Sequence, residues 1–271
     1  MRKTLRVLAL CLLLPAVAQA ATLSIGGRSI SYTVPRGYMP GDEEPYRDIR
    51  GFLTEIFPDV MRVLAFYVDE ESHRKFMNPQ GRRLEHYFIV STLRPLENKN
   101  LSARDFMEVK KGVVNAQAQL KTTLRQKVNR ELGKAGDGGM SIAAVDALGV
   151  YDVSDTGFSF MAVMDQVRHA GGQRETAKQA MVSSYLLARG KLVIVNQYRL
   201  LDPAGNMADQ LGEVRESARR ILHELNIRQG ASWAFLPDSF LLRVLAGALA
   251  GGFMGGLTGW LVRRARKKAA A

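Results

Sequence analysis

Cysteine is almost absent from this sequence. The single cysteine, Cys11, lies within the first 20 residues, which have the form of a cleaved leader. A chain that begins after this leader contains no thiol. Disulfide bonds, thiolate nucleophiles, iron–sulfur clusters and cysteine zinc sites are therefore excluded, and the fold must be stabilised by its hydrophobic core.

Histidine is also scarce, and its spacing matches no known catalytic or metal-binding motif. The four histidines, His73, His86, His169 and His223, lie far apart without an HExxH pattern. The stretch GFSFM around Ser159 lacks the second glycine of a nucleophile elbow. The stretch GKAGDGG lacks the spacing and the terminal Lys-Ser/Thr of a phosphate-binding loop. We therefore predict no catalytic residue, no metal site and no bound cofactor.

Negative charge is missing from both ends of the chain. All 26 acidic residues lie between Asp42 and Asp238, whereas nine of the 38 basic residues lie in the leader or from position 240 onward. The stretch between the ends carries 29 basic and 26 acidic residues, so the net charge of +12 comes mostly from the termini. We therefore predict no nucleic-acid binding, because this pattern marks membrane topology instead.

Residues 1–20, MRKTLRVLALCLLLPAVAQA, have the three parts of a secretory signal peptide. A basic start precedes an apolar stretch over about 7–17, and the small-x-small sequence Ala18-Gln19-Ala20 follows. We predict cleavage after Ala20, which makes Ala21 the first residue of the mature chain. The alternative is an uncleaved signal anchor, which would place both termini in the cytoplasm.

Residues 240–262 form an apolar run that contains one charge, Arg243. At ~1.5 Å per residue, a helix of this length spans the ~30 Å hydrocarbon core of a bilayer. We predict a transmembrane helix over 240–262, preceded by a linker over 228–239. The alternatives are a buried helix of a soluble domain and a sorting tag that is later removed.

The tail over 263–271 is basic, and basic flanks of membrane helices remain in the cytoplasm. With a cleaved leader, this places the main domain on the opposite side of the membrane. We predict a single-pass protein of the bacterial inner membrane with a periplasmic main domain. The tail residues that determine this topology are Arg263, Arg264, Arg266, Lys267 and Lys268.

Glycine recurs every four residues in the predicted transmembrane helix, at Gly247, Gly251, Gly255 and Gly259. Such spacing produces a groove in which another helix can approach closely. We predict a helix–helix contact with a second copy or with another membrane protein. The alternative is that these glycines have no partner, because glycine is common in membrane helices.

Residues 21–227 alternate between strand and helix patterns. A hairpin surrounds Gly26-Gly27, a helix runs from Pro45 to Pro58, and the strands VMRVLAFYV and LEHYFIVSTL follow with the polar stretch DEESHRKFMNPQGRR between them. A long helix over 102–132, which begins with the capping-box spacing of Ser102 and Asp105, four strands over 142–201 and a helix over 207–225 complete the order. We predict an α+β fold in which helices flank one antiparallel sheet, plus the C-terminal transmembrane helix.

This element order resembles the PsbP-like α/β/α sandwich, which includes small exported bacterial domains. The resemblance covers residues 22–227 and implies an accessory or binding protein attached to membrane machinery. We expect a non-enzymatic binding or envelope-assembly protein. The alternative is a periplasmic enzyme or small-ligand carrier, which a cleft with converging Asp, His or Arg side chains between sheet and helices would favour.

Overall fold

The computed structural model describes residues 20–42, 44–47, 49–51, 60–78, 84–119, 129, 140–170 and 173–227. In this part of the chain, no helix is long and apolar enough to cross a bilayer. The predicted transmembrane helix over 240–262 lies outside the described residues. So do residues 1–19 of the leader, the linker over 228–239 and the tail over 263–271.

The chain begins with the predicted hairpin. Strands β1 (Ala20–Ile25) and β2 (Arg28–Thr33) pair antiparallel, and Ile25 lies opposite Arg28. The two turn residues, Gly26 and Gly27, have φ of 52° and 76°, as a two-residue hairpin turn with positive φ at both positions requires.

Seven further strands form one antiparallel sheet in the order β3-β4-β5-β9-β8-β7-β6. The predicted four-strand run is confirmed, and its last strand lies beside β5, so the early and late parts of the chain share one sheet. The strands are β3 (Tyr38–Pro40), β4 (Met61–Asp69), β5 (His86–Leu93), β6 (Met140–Tyr151), β7 (Gly157–Ala170), β8 (Gln173–Ala188) and β9 (Lys191–Leu201).

Four helices connect and cover these strands: α1 (Glu70–Met77), α2 (Arg94–Glu97), α3 (Ala103–Gln119) and α4 (Met207–Leu225). The predicted capping box of α3 is present, because the Ser102 N–H donates to Asp105 Oδ2 (2.8 Å) and the Asp105 N–H donates to Ser102 Oγ (3.1 Å). Asn129 is also helical, whereas residues 120–128 lie outside the described chain. The helix predicted from Pro45 to Pro58 is described only in part, with a helical turn at 49–51.

Helix α1 occupies the stretch that the sequence indicated only as a polar connection. Asp69 caps it by accepting hydrogen bonds from the N–H groups of Glu71 (3.1 Å) and Ser72 (3.0 Å). The helix buries just Ser72 and Phe76, which lie one turn apart. Two buried positions among eight are too few to produce a visible hydrophobic stripe.

Helices cover both faces of the sheet. On one face, Phe76 of α1 and Phe106 and Val109 of α3 join the largest buried cluster, and the Phe106 and Phe158 rings lie 5.6 Å apart. On the other face, the hairpin and α4 complete two further clusters. Strands β8 and β9 are therefore buried on both sides, over 179–188 and 191–198. The predicted α+β fold with an antiparallel sheet flanked by helices is confirmed.

Lys191 joins three elements at one end of the sheet. Its side chain is 2 % exposed, and its Nζ donates to the carbonyl oxygens of Glu97 and Lys99, both at 2.9 Å. The turn of the hairpin also packs here, because a Cβ at Gly26 would lie 2.0 Å from the Glu97 carbonyl oxygen. We call this the Lys191 end; the β1–β2 turn, α2 and the β8–β9 turn meet there.

The close approach at Gly26 predicts unequal effects of alanine at the two turn glycines. Gly27→Ala should lower the free energy of unfolding by about 1–2 kcal/mol, because φ is positive and the added Cβ meets open space. Gly26→Ala should lower it by a further ~1–3 kcal/mol, because its Cβ also overlaps Glu97. Urea denaturation of the full chain measures both values, and equal losses would contradict the packing of the turn on α2.

Candidate functional site

A cleft of about 680 Å³ lies at the end of the sheet opposite the Lys191 end. Its walls are α1, the beginning of β5, the end of β9 and one flank of α4. Among the residues that line it are His86 and Ser217, and we call it the His86 cleft. Nine of its lining residues are charged: Asp69, Glu71, Glu85, Asp202, Glu213, Glu216, Lys75, Arg199 and Arg220.

A chain of hydrogen bonds forms the floor of the cleft. The Tyr38 hydroxyl lies 3.0 Å from His86 Nε2, and Gln197 Nε2 lies 2.7 Å from the same ring nitrogen. Gln197 Nε2 also donates to Ser217 Oγ at 2.9 Å. These four side chains come from β3, β5, β9 and α4. The site therefore depends on the sheet order, which places β5 beside β9.

The amide of Gln197 has an unused hydrogen-bonding position. Gln197 is 1 % exposed, yet its Oε1 has no hydrogen-bond partner among the described residues. Rotating the amide by 180° exchanges its oxygen and nitrogen but leaves the same position without a partner. A buried polar atom in this state carries a desolvation penalty.

His86 is held in its neutral form. The pKa of its imidazole is lowered to about 4, chiefly by burial; Asp69 opposes this shift, and the cations of Arg199 and Arg220 add to it. Burial also raises the pKa of Tyr38, so its hydroxyl stays protonated and can donate a hydrogen bond. At neutral pH, the floor of the cleft therefore presents uncharged donors and acceptors.

The walls of the cleft contain several ion pairs. Lys75 Nζ lies 3.1 Å from Glu71 and 2.6 Å from Glu85, and Arg199 lies 2.8 Å from Glu213. Arg220 is exposed, and the described residues provide it with no ion-pair partner. Its charge nevertheless acts on the floor, since it contributes to the pKa values of His86 and Tyr38.

The two serines that line the cleft, Ser72 and Ser217, are hydrogen-bonded to groups other than the His86 ring. The Ser72 hydroxyl accepts a hydrogen bond from the backbone N–H of His86 (2.8 Å), and the Ser217 hydroxyl accepts one from Gln197. The structure therefore shows no serine activated by the His86 ring in the described part of the cleft. Within the described residues, no group of three His, Cys, Asp or Glu side chains could hold a metal ion.

The structure does not describe the site residues predicted from the sequence. The helix-packing glycines, Gly247, Gly251, Gly255 and Gly259, lie outside the described residues, as do the basic residues of the tail. Sequence reasoning treated His86 as one of four scattered histidines. The sequence signal that could have distinguished His86 is the two-residue alternation of side chains along a strand. It places His86 on the same face of β5 as the buried residues Phe88 and Val90.

Comparisons with known proteins do not identify a family. No protein-family model matches the chain, and no curated protein matches it. A mutant of the protein Mog1 is 13% identical over 76% of this chain and 93% of its own, with a TM-score of 0.32. The Saccharomyces cerevisiae Ran-binding protein Mog1p is 12% identical over 86% of this chain and 93% of its own, with a TM-score of 0.27.

A third solved structure, human STARD10, is 9% identical over 66% of this chain and 78% of its own, with a TM-score of 0.18. All three TM-scores lie below 0.5, so these likenesses carry no argument about fold or function. The resemblance to PsbP-like domains stays a prediction.

The lowered pKa of His86 predicts a specific pH dependence of stability. The unfolded chain, with an ordinary histidine pKa of about 6.5, binds a proton between pH 6.5 and 4 that the folded chain does not. Stability should therefore fall as the pH falls through this range, by up to ~3 kcal/mol from this residue. His86→Gln should remove that part of the decline. Urea denaturation of both chains at a series of pH values measures it, and parallel curves would contradict the assignment.

Proposed function

We propose that this protein is a membrane-tethered extracytoplasmic binding domain whose small polar ligand occupies the His86 cleft. The observation that carries the proposal is the convergence of Asp69, His86, Arg199 and Arg220 between the sheet and α4. A cleft of this kind favours a ligand carrier over a domain that only supports an assembly.

The charge of the cleft suggests the class of ligand. Six carboxylates and three cations line it, and His86 is neutral, so the cleft has an excess of negative charge. Such a cleft attracts molecules with a positively charged group. His86 and Ser217, which line the cleft, add neutral hydrogen-bonding groups.

The proposed location rests on the two ends of the chain. A signal peptide over 1–20 would export the domain over 21–227, and a helix over 240–262 would keep it at the inner membrane with the tail in the cytoplasm. The glycine row from Gly247 to Gly259 would allow this helix to contact a second copy or another membrane protein. The ligand-binding domain would then belong to an envelope assembly.

Native mass spectrometry of the full chain, purified from its own membranes in mild detergent, detects a bound small molecule whatever its chemical identity. The wild type should retain such a molecule. Arg220→Trp should lose it, because Arg220 is exposed at the cleft and a large ring there obstructs access to His86 without disturbing the core. His223→Trp is the matched control, since His223 is exposed on the same helix but does not line the cleft.

Two results would contradict the proposal: a wild-type chain that carries no small molecule, or equal retention by the wild type and both variants. Loss in both variants would show that binding depends on the general stability of α4, which circular dichroism would reveal as a matching loss of helix.

A further inference from the structure

The Lys191 end of the molecule has an exposed surface rich in positive charge. Its exposed cationic residues are Arg28, Arg94, Lys99, Arg104 and Arg189. Two carboxylates of this end are already engaged, because Glu97 lies 2.8 Å from Arg62 and Asp105 is buried as the cap of α3. In the β6–β7 turn, Asp152 pairs with Arg219 (2.8 Å), and Asp155 is exposed.

Two of these arginines, Arg28 and Arg189, each donate a side-chain hydrogen bond to the backbone of the other's segment. Arg28 Nη1 donates to the carbonyl oxygen of Arg189 at 2.9 Å, and Arg189 Nη1 donates to the carbonyl oxygen of Ser29 at 3.0 Å. The bonds link the beginning of β2 to the β8–β9 turn. They bring the Arg28 side chain to the β8–β9 turn and the Arg189 side chain to the beginning of β2.

Most of the donors of this pair are still available. A guanidinium group has five N–H donors, and each of these bonds uses one nitrogen atom of its arginine. Both side chains are exposed, so the remaining donors face solvent. Guanidinium groups bind phosphate oxygens with paired hydrogen bonds, so two arginines anchored on adjoining turns can supply the donors for such an anion.

The backbone of Arg189 has a conformation that is unfavourable for arginine, which suggests a functional role for its side chain. Arg189 has φ of 52° and forms the two-residue turn with Gly190, whose φ is 77°. Asn, Asp and Gly are favoured at such a turn position, and arginine there imposes strain. Strain of this kind is typical of functional positions, and here it places a cation beside Arg28.

We propose that Arg28 and Arg189 form a clamp for a phosphate-bearing anion. This site lies at the opposite end of the sheet from the His86 cleft and does not depend on ligand binding there. Two sources of the phosphate are compatible with the clamp: the headgroups of anionic phospholipids in the membrane that tethers the chain, and free inorganic phosphate.

The test measures hydrogen–deuterium exchange at residues 26–30 and 188–191 in the full chain. One arm compares nanodiscs of phosphatidylcholine with nanodiscs that also contain phosphatidylglycerol. The other arm adds inorganic phosphate to the chain in detergent. Slower exchange with phosphatidylglycerol alone identifies a lipid headgroup, whereas slower exchange with inorganic phosphate identifies a free anion.

The double variant Arg28→Gln with Arg189→Asn removes the clamp without endangering the turn, because asparagine favours positive φ. Its affinity for the phosphate source should fall about 25-fold, since each cation near an anionic surface contributes a factor of about five. The control variant, Arg74→Gln with Arg174→Gln, removes two exposed cations from the opposite end of the sheet and should bind as the wild type does.

The proposal is overturned if neither phosphatidylglycerol nor inorganic phosphate slows exchange at these two turns. It is also overturned if the double variant retains wild-type binding, or if the control variant loses as much affinity as the double variant, because the effect would then reflect net charge alone.

Discussion

The structure depends on a sheet that is apolar on both faces. Strands β8 and β9 are buried over 179–188 and 191–198. Exposing either face of these strands to solvent would cost free energy, because apolar side chains would contact water. Antiparallel sheets commonly expose one face, and over these stretches of β8 and β9 this sheet does not. Helices α1 and α3 cover one side, while α4 and the β1–β2 hairpin share the other.

The cleft lies at one end of the sheet, between helices that cover opposite faces. Helix α4 packs Val214, Ala218 and Ile221 onto the sheet, and the flank that carries Ser217 and Arg220 faces the strand ends where β5 begins and β9 finishes. Helix α1 forms the other wall. The space between the two helices is lined mostly by polar side chains.

Some buried polar side-chain atoms of this sheet have hydrogen-bond partners among the described residues, and others have none. Asn196 Oδ1 accepts a hydrogen bond from Ser183 Oγ at 2.6 Å, and Ser159 and Ser184 pair at 2.8 Å. Asn196 Nδ2 and Gln197 Oε1, in contrast, have no hydrogen-bond partner among the described residues. Gln197 faces α4, where it contacts His86 and Ser217, two residues that line the cleft.

The features that sequence reasoning found are local. The hairpin was predicted from Gly26-Gly27, the start of α3 from Ser102 and Asp105, and the β6–β9 run from alternation between turn residues; the structure confirms all three. Helix α1 was missed because it buries two side chains only. The cleft could not be predicted, since its floor joins Tyr38, His86, Gln197 and Ser217 from four separate segments, and no local pattern encodes the pairing of β5 with β9.

A ligand cleft and a cationic surface lie at opposite ends of one domain that we propose to be exported, so the central claim is the side of the membrane on which that domain lies. The scarcity of cysteine makes a direct measurement possible. With Cys11 replaced by serine, a single cysteine at Asp155 or at Ala270 can be labelled by a membrane-impermeant maleimide in spheroplasts. The account predicts that Asp155→Cys is labelled in intact spheroplasts and that Ala270→Cys is labelled only after lysis. Labelling of Asp155→Cys only after lysis would contradict it.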